Sequence, residues 1–478
     1  MITPPSPETA GGTRSEEPVD VLRSPQAGAQ VIRGGAVRGL GYLAGLVLGA
    51  AVSVLLLRHL GVIQFGRYAT VAALLGIVSG VADAGLTAVG ARELSVLPAG
   101  PTRERLLASL VALRLVATPL GVAGAVAFAA AAGYDRTLVL GTLLGGIGVI
   151  LVNVQATMML PLSVELRIGR LTLADVLRNA LTLAGVAFLV AAGASLLPFF
   201  AIQILVGVGV LAVTPLLVGS AARMRPAFRS GDWRPLVREA LPLAVALAMS
   251  VIYYRVLVIL MSLVSSPLET GYFATSLRIF EVLLILPSIL LSIALPVLSV
   301  AGAEDLERLR YGLQRMLEVG LLVAVGLALL VIIPAEPVVR LLGGEEFEGA
   351  AGVLRIHAVA LIGLFVGQVW LLGLVAVRRQ RSVAVANGVA LLVVLGLGLA
   401  LVPAAGAVGA AVAAAISEGV LAALLLLFLG RADRRLLPSF AFVWRVALAG
   451  AAAAAVALIP GIPALAAAAA AFGVYAAV

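Results

Sequence analysis

Long apolar runs separated by short polar segments make up most of the chain. Runs of 18 or more apolar residues recur, and each is long enough for a helix to cross a hydrocarbon core about 30 Å thick. No alternating ten-residue strand pattern is evident, so the pattern favours a helix bundle over a β-barrel. The runs predict about fourteen helices, numbered 1 to 14, near 37–57, 68–91, 106–132, 137–160, 171–193, 196–219, 237–264, 271–300, 316–340, 350–375, 382–402, 406–430, 438–459 and 463–478.

A weak internal repeat divides these helices into two halves. The segment "GRYAT" from Gly66 opens predicted helix 2, and "GYFAT" from Gly271 opens predicted helix 8. Six helices separate the copies, so the halves should run parallel and be related by an axis along the membrane normal. We therefore predict an all-α polytopic membrane protein with two pseudo-symmetric six-helix lobes and two C-terminal helices. Its expected parts are a disordered cytoplasmic tail (1–36), an N-lobe (37–219), a cytoplasmic inter-lobe loop (220–236), a C-lobe (237–430) and helices 13 and 14 (431–478).

Composition and charge agree with this pattern. Hydrophobic residues make up 62% of the chain and charged residues only 12%, against about 25% charged in soluble domains. Arginines concentrate in every second connection, which is typical of cytoplasmic loops. The net charge of +9 therefore reflects membrane topology, not nucleic-acid binding. We predict a multi-pass protein of the bacterial cytoplasmic membrane with both termini in the cytoplasm.

The sequence motifs do not support an enzymatic function. The chain has no cysteine, no Walker or HExxH motif and no convincing nucleophile elbow. No metal-ligand spacing is present; His59 and His357 fall near predicted outer membrane edges, where solvation at the interface is expected. The sequence predicts neither an enzyme nor a cofactor or metal.

Charged residues inside the apolar runs are the candidates for function. Arg255 lies about 15 Å below the outer end of predicted helix 7, and Glu281 lies at a similar depth on helix 8. Arg278 precedes Glu281 by three residues and so shares its helical face. An arginine at mid-membrane should face the protein interior. Two interpretations remain open: an ion pair that only holds the helices together, or an anion site in which one arginine stays available.

The first half carries a second set of interior charges. Asp175 and Arg178 follow helical spacing on predicted helix 5, while Arg114 and Asp83 lie in the inner half of helices 3 and 2. One interpretation is a structural Asp83–Arg114 pair with an Arg178 side chain that extends to the interface. The other places Arg114 and Arg178 with Arg255 and Arg278 around a cationic head-group cavity.

Two further carboxylates are candidates for coupling. Glu418 lies at about mid-depth in predicted helix 12, and Glu318 near the inner end of helix 9. Either could carry a proton or a cation, although polar residues that pack helices are more common.

Three segments carry a family resemblance: "LRHLGVIQFGRYATVAALLGIVSGVADAGLTAVGAREL" (57–94), "ETGYFATSLRIFEVLLILPSILLSIALPVLS" (269–299) and "LLGGEEFEGAAGVLRIHAVAL" (341–361). They resemble the Wzx-type polysaccharide-transport flippases of the multidrug/oligosaccharidyl-lipid/polysaccharide exporter superfamily. The resemblance implies two six-helix lobes that alternate access. It also implies that undecaprenyl-diphosphate-linked oligosaccharide moves from the inner to the outer leaflet during cell-surface polysaccharide synthesis.

The resemblance also implies partners, and two other functions remain open. Its partners would be the lipid-linked oligosaccharide and membrane lipids, with polysaccharide polymerase or glycosyltransferase proteins as further candidates. A cation-coupled multidrug exporter of the same superfamily would share the fold, but predicted helix 1 has no Asp or Glu. A non-transporting membrane scaffold would need no interior arginine.

The alternation of arginine-rich loops predicts that segment 265–270 is external and 223–234 cytoplasmic. Single cysteines can be placed in either segment because the chain has none of its own. In intact cells an impermeant thiol reagent should label the first segment and spare the second. The opposite labelling pattern would overturn the topology.

Overall fold

The computed structural model describes residues 27–83, 85–98, 100–219, 226–228, 230–284, 305–456 and 463–477, with single positions 287, 294, 298 and 459. These residues are helical almost throughout, and no strand occurs among them, as the sequence predicts. The helices are α1 (Ala27–Asp83), α2 (Leu86–Val96), α3 (Pro101–Ala131), α4 (Arg136–Met158), α5 (Leu160–Val164), α6 (Ile168–Ala191), α7 (Leu196–Val218), α8 (Ser230–Val264), α9 (Pro267–Leu283), α10 (Leu306–Ile332), α11 (Ala335–Gly343), α12 (Ala350–Ala376), α13 (Gln380–Ala432), α14 (Val443–Val456) and α15 (Ala464–Ala477).

Two helices are too long for one crossing and are kinked at a glycine. The 57 residues of α1 would span about 85 Å as a straight helix, far more than a bilayer. Gly61 breaks α1 with φ 68° and ψ 170°, and Gly406 breaks α13 with φ 55° and ψ −132°. Both φ angles are positive, in a region that glycine adopts without the steric penalty that other residues meet. Each long helix therefore makes two crossings.

The number of crossings agrees with the sequence prediction. Nine helices in the described part of the chain are long and apolar enough to span a membrane, and two of them are the kinked helices. Two shorter apolar helices, Val443–Ala455 and Ala464–Tyr475, follow near the C-terminus. Helix α9 is also a candidate, because its apolar sequence continues past its last described residue. About fourteen crossings result.

Several predicted boundaries move, for identifiable reasons. Within the expected tail, residues 1–26 lie outside the described part, and the chain is helical from Ala27. Within the expected inter-lobe loop, helix α8 already begins at Ser230. Predicted helix 9 corresponds to α10, which begins earlier, at Leu306. The Asp305 side chain caps this helix by accepting hydrogen bonds from the Glu307 and Arg308 amides. The helix ends before Pro334, because a proline cannot continue the hydrogen-bond ladder, and α11 follows as a separate short helix.

Packing follows the two halves of the repeat. The helices of the first half surround α1, which contacts α3, α4 and α6. In the second half α12 packs along α13, and both contact α9. Helices α14 and α15 pair with each other and lie against α10. Helix α1 also contacts α8 and α9, so it forms much of the boundary between the halves.

The two repeat motifs meet at this boundary. Gly66 of α1 lies so close to α9 that a Cβ atom would be 2.5 Å from the Pro267 carbonyl oxygen and 2.7 Å from the Gly271 nitrogen. A Cβ on Gly271 would overlap the Val62 carbonyl oxygen. Nearby, the Tyr134 and Ser262 hydroxyls are 2.5 Å apart. The first residues of the two motifs therefore allow the halves to touch backbone to backbone on the predicted outer side.

Adding a methyl group at this contact should destabilise the protein. Gly271→Ala places a Cβ against backbone atoms that cannot turn aside, and such overpacking costs about 1–3 kcal/mol. Gly396→Ala is the control, because Gly396 has no neighbouring atom within 4 Å of its Cβ direction. Alanine is there the better helix former by about 1 kcal/mol. Thermal unfolding of the purified protein should show a lower midpoint for the first variant only, and equal midpoints would contradict the contact.

Candidate functional site

A cavity of about 240 Å³ lies between the two halves. Helices α1, α6 and α7 of the first half form one wall, and α8 and α9 of the second half form the other. The lining residues are Val52, Ser53, Leu56, Phe65, Tyr68, Ala69, Ala72, Thr182, Gln203, Arg255, Val258, Ala274, Leu277, Arg278 and Glu281. We call this space the central cavity. Its charged residues are two arginines and one glutamate.

Arg255 enters the central cavity from α8. Its Nη1 lies 2.8 Å from Oε1 of Glu281, and about a third of its side chain remains accessible. Gly76 of α1 provides the space, since a Cβ there would be 3.3 Å from the Arg255 Nε. The guanidinium therefore faces the interior between the lobes, where mid-membrane burial is least costly.

Arg278 and Glu281 occupy one face of α9. The Arg278 Nη1 is 3.2 Å from Oε2 of Glu281, so each oxygen of this carboxylate faces a different guanidinium. The Arg278 Nε donates to the Ser53 hydroxyl at 2.9 Å. Ser53 belongs to α1, so Arg278 links the two halves. Glu281 therefore pairs with both arginines, and the site keeps one positive charge in excess.

The other predicted arginines lie elsewhere. Arg114 is only 2% exposed and pairs with Asp83, and its Nη2 and Nε also donate to Thr87 at 2.9 Å and Thr157 at 3.0 Å. This polar cluster joins α1 to α4 and is not part of the central cavity. The sequence offered a structural Asp83–Arg114 pair as one of two interpretations, and the structure contains that pair.

Arg178 lines a second cavity, of about 320 Å³, between α1 and α6. Its Nη2 is 3.4 Å from Asp175, which also pairs with Arg38 at 3.3 Å. Thr172 and Asn179 line the same space. The structure thus brings Arg255 and Arg278 together and does not bring Arg114 or Arg178 to them, because the side chains leave different faces and levels of the bundle.

Glu418 lies in a small enclosed space of the second half. Its side chain is buried in α13, and it shares a cavity of about 30 Å³ with Tyr253, Tyr254 and His357. In the described part of the chain no arginine forms an ion pair with it. His357 is also buried, with Nδ1 2.6 Å from the Ser276 hydroxyl. The expectation that His357 is solvated at the membrane edge is wrong, because the packing of α9 and α12 encloses it.

Glu318 lies in a cleft between α10 and the start of α14. It accepts from Gln314 at 2.9 Å and from Arg315 at 2.6 Å. Gln314 also accepts from the Ser439 amide at 2.8 Å. These contacts fasten the segment before α14, and the cleft does not reach the central cavity. Within the described residues, no group of three or more His, Asp or Glu could hold a metal ion.

Sequence reasoning missed the polar residues of the first-half wall. Ser53, Tyr68, Thr182 and Gln203 all line the central cavity. Their one signal in the sequence is a single polar residue inside an apolar run, as in "AAVSVLLL" and "FFAIQILVG". That signal does not tell which face of the helix borders a cavity.

A helical bundle of two related halves around a charged cavity defines the chain as a membrane transporter of the MATE-like fold. The structure of the lipid II flippase MurJ in an inward closed conformation matches with a TM-score of 0.76 and 13% identity over 92% of this chain and 97% of that one. An inward-facing multidrug resistance MATE family transporter of the MOP superfamily matches with a TM-score of 0.64 and 15% identity, covering 82% and 94%. A MOP superfamily transporter from Pyrococcus furiosus gives a TM-score of 0.53 and 15% identity, covering 87% and 98%.

A sequence comparison with protein-family models identifies the family of the chain. The family model for the lipid II flippase MurJ matches residues 149–476, which is more than half of the chain. The protein therefore belongs to the MurJ lipid II flippase family, whose members are transporters and not enzymes. The predicted superfamily is confirmed, while the Wzx type expected from the sequence is a related but different member. No curated protein matches the chain significantly.

The buried Asp83–Arg114 pair generates a stability prediction. Asp83→Asn leaves a buried guanidinium without its counter-charge and should lower the free energy of unfolding by roughly 1–3 kcal/mol, less than a fully buried pair because Asp83 is half exposed. Asp175→Asn is the matched control, since its pairs are half exposed and contribute about 0–1 kcal/mol. Chemical or thermal unfolding measures both. A larger loss in the control would contradict the structural role of the pair.

Proposed function

We propose that the protein moves a polyprenyl-diphosphate-linked glycan from the inner to the outer leaflet of the bacterial cytoplasmic membrane. The observation that carries this proposal is the central cavity, where Arg255 and Arg278 face one carboxylate between two lobes of a MurJ-family fold. The family name refers to lipid II, and the sequence resemblance points to undecaprenyl-diphosphate-linked oligosaccharides. Both substrates share a polyprenyl tail, a diphosphate and a sugar.

The chemistry of the site suits the diphosphate. A guanidinium stays charged at any physiological pH and can bind two phosphate oxygens at once. Glu281 occupies both guanidiniums in this structure, so the diphosphate would compete with it for the same donors. The excess positive charge disfavours cationic drugs, which makes a multidrug exporter the weaker alternative.

The size of the cavity supports transport by movement of the lobes. At about 240 Å³ it is smaller than the roughly 300–1,000 Å³ of cavities that enclose drug-sized ligands. A diphosphate with its glycan therefore needs the halves to separate. Its polar head cannot cross hydrocarbon without losing its hydrogen bonds to water, whereas the polyprenyl tail can remain in lipid. Alternating access of the two halves provides the polar path.

Replacing either arginine should abolish transport while the protein still folds. Arg255→Gln and Arg278→Gln each remove a phosphate-binding guanidinium, but each leaves Glu281 paired with the other arginine. Arg340→Gln is the control, because Arg340 lies in α11 outside the cavity and pairs with the exposed Glu336 and Glu348. Translocation of lipid-linked glycan in proteoliposomes and thermal stability should be measured together.

The two measurements separate binding from packing. We expect at least a tenfold loss of translocation in both cavity variants, with midpoints of unfolding close to those of the control. Normal translocation in both variants would eliminate the site. A loss of transport that follows a loss of stability, and that Glu281→Gln restores in the Arg255→Gln background, would show that the arginines only balance a buried charge.

A further inference from the structure

The two walls of the central cavity differ in charge. The second-half wall carries Arg255, Arg278 and Glu281, whereas the polar side chains of the first-half wall are all neutral. These neutral residues are Ser53, Tyr68, Thr182 and Gln203. A bound head group therefore meets cations on one side and uncharged hydrogen-bonding groups on the other.

Two of the four neutral residues are already engaged. Ser53 donates to the Gly49 carbonyl at 2.8 Å and accepts from Arg278 at 2.9 Å. Thr182 donates to the Arg178 carbonyl of its own helix at 2.9 Å. By contrast, neither the Gln203 amide nor the Tyr68 hydroxyl has a hydrogen-bond partner within the described part of the chain. Both residues are partly exposed in the cavity.

The Tyr68 ring and the base of the Gln203 side chain are both held in place by packing. The Tyr68 ring stacks on Phe200 with centroids 5.5 Å apart and an interplanar angle of 11°. Gln203 lies against Gly148 of α4, where a Cβ would be 2.6 Å from the Gln203 Cβ. Rigid support of this kind lowers the entropy that a binding group loses when it takes up a ligand.

We propose that Gln203 and Tyr68 bind the first sugar of the substrate and so select for the glycan, while Arg255 and Arg278 bind its diphosphate. A glutamine amide offers both donors and an acceptor, and a phenol offers one of each. These groups match sugar hydroxyl and acetamido groups, which are uncharged and also donate and accept. The sugar is linked directly to the diphosphate, so both groups have to fit within one cavity, where they can contact its two walls. This inference rests on the proposed function.

Two ligands separate the roles of the walls. The dissociation constants of undecaprenyl diphosphate and of undecaprenyl diphosphate bearing one N-acetylglucosamine should be measured for the purified protein by native mass spectrometry. The variants are Gln203→Leu and Tyr68→Phe, which remove hydrogen-bonding groups with little change in volume. Gln368→Leu is the matched control, because Gln368 is a partly exposed glutamine of α12 outside the cavity.

Each wall variant should weaken binding of the sugar-bearing lipid by about three- to tenfold, the usual effect of one neutral hydrogen bond. Binding of the lipid without sugar should stay unchanged, and the control should bind both as the wild type does. Equal weakening for both ligands, or none for either, would overturn the assignment of the sugar to this wall. Arg255→Gln tests the proposed function separately, because it should weaken binding of both lipids.

Discussion

The cost of holding charge inside a membrane governs the arrangement of this protein. An arginine at the centre of a bilayer is costly unless it faces other polar groups. The interior arginines Arg114, Arg255 and Arg278 each face a carboxylate, and none depends on water alone. Glu281 pairs with two of them, one from α8 and one from its own helix α9. Each of these three arginines is therefore carried inward beside a carboxylate.

The approach of α1 to α9 creates the site from both halves. Gly66 and Gly271 let the two backbones touch on the outer side, and on the arm of α1 before the Gly61 kink Ser53 accepts a hydrogen bond from Arg278 of α9. The cavity therefore has one wall from each half. A movement that separates the halves would change its width and act on the Arg278–Ser53 bond, which joins the two walls.

The charged groups that do not line the central cavity have a different role. The Asp83–Arg114 cluster joins helices of one half, and its guanidinium is buried while its carboxylate is half exposed, so it can stabilise that half. The Glu318 contacts bind the segment before α14 to α10. Among the residues that the structure describes, only the group around Glu281 combines residues of both halves, accessible guanidiniums and open volume. The proposed transport site rests on this combination.

Depth and helical spacing predicted part of the site. The distance of Arg255 and Glu281 from the helix ends placed them at one level, and three-residue spacing put Arg278 beside Glu281. Spacing also put Asp175 and Arg178 on one helical face, and depth gave Asp83 and Arg114 as one possible pair. The contribution of Arg38 to the Asp175 pair, and that of Ser53 to Arg278, could not be foreseen. Each depends on contacts between helices far apart in the chain.

The sequence by itself determined the class of fold, because the length and apolarity of each run decide whether a helix can cross a membrane, and loop arginines indicate the topology. It also determined which charges lie inside, since their depth follows from the helical rise. Only the tertiary structure decided that Arg255 and Arg278 share one cavity while Arg114 and Arg178 do not, and that Gln203 and Tyr68 face them. Helical periodicity defines the faces of a helix, but which face meets a cavity depends on how the helices pack.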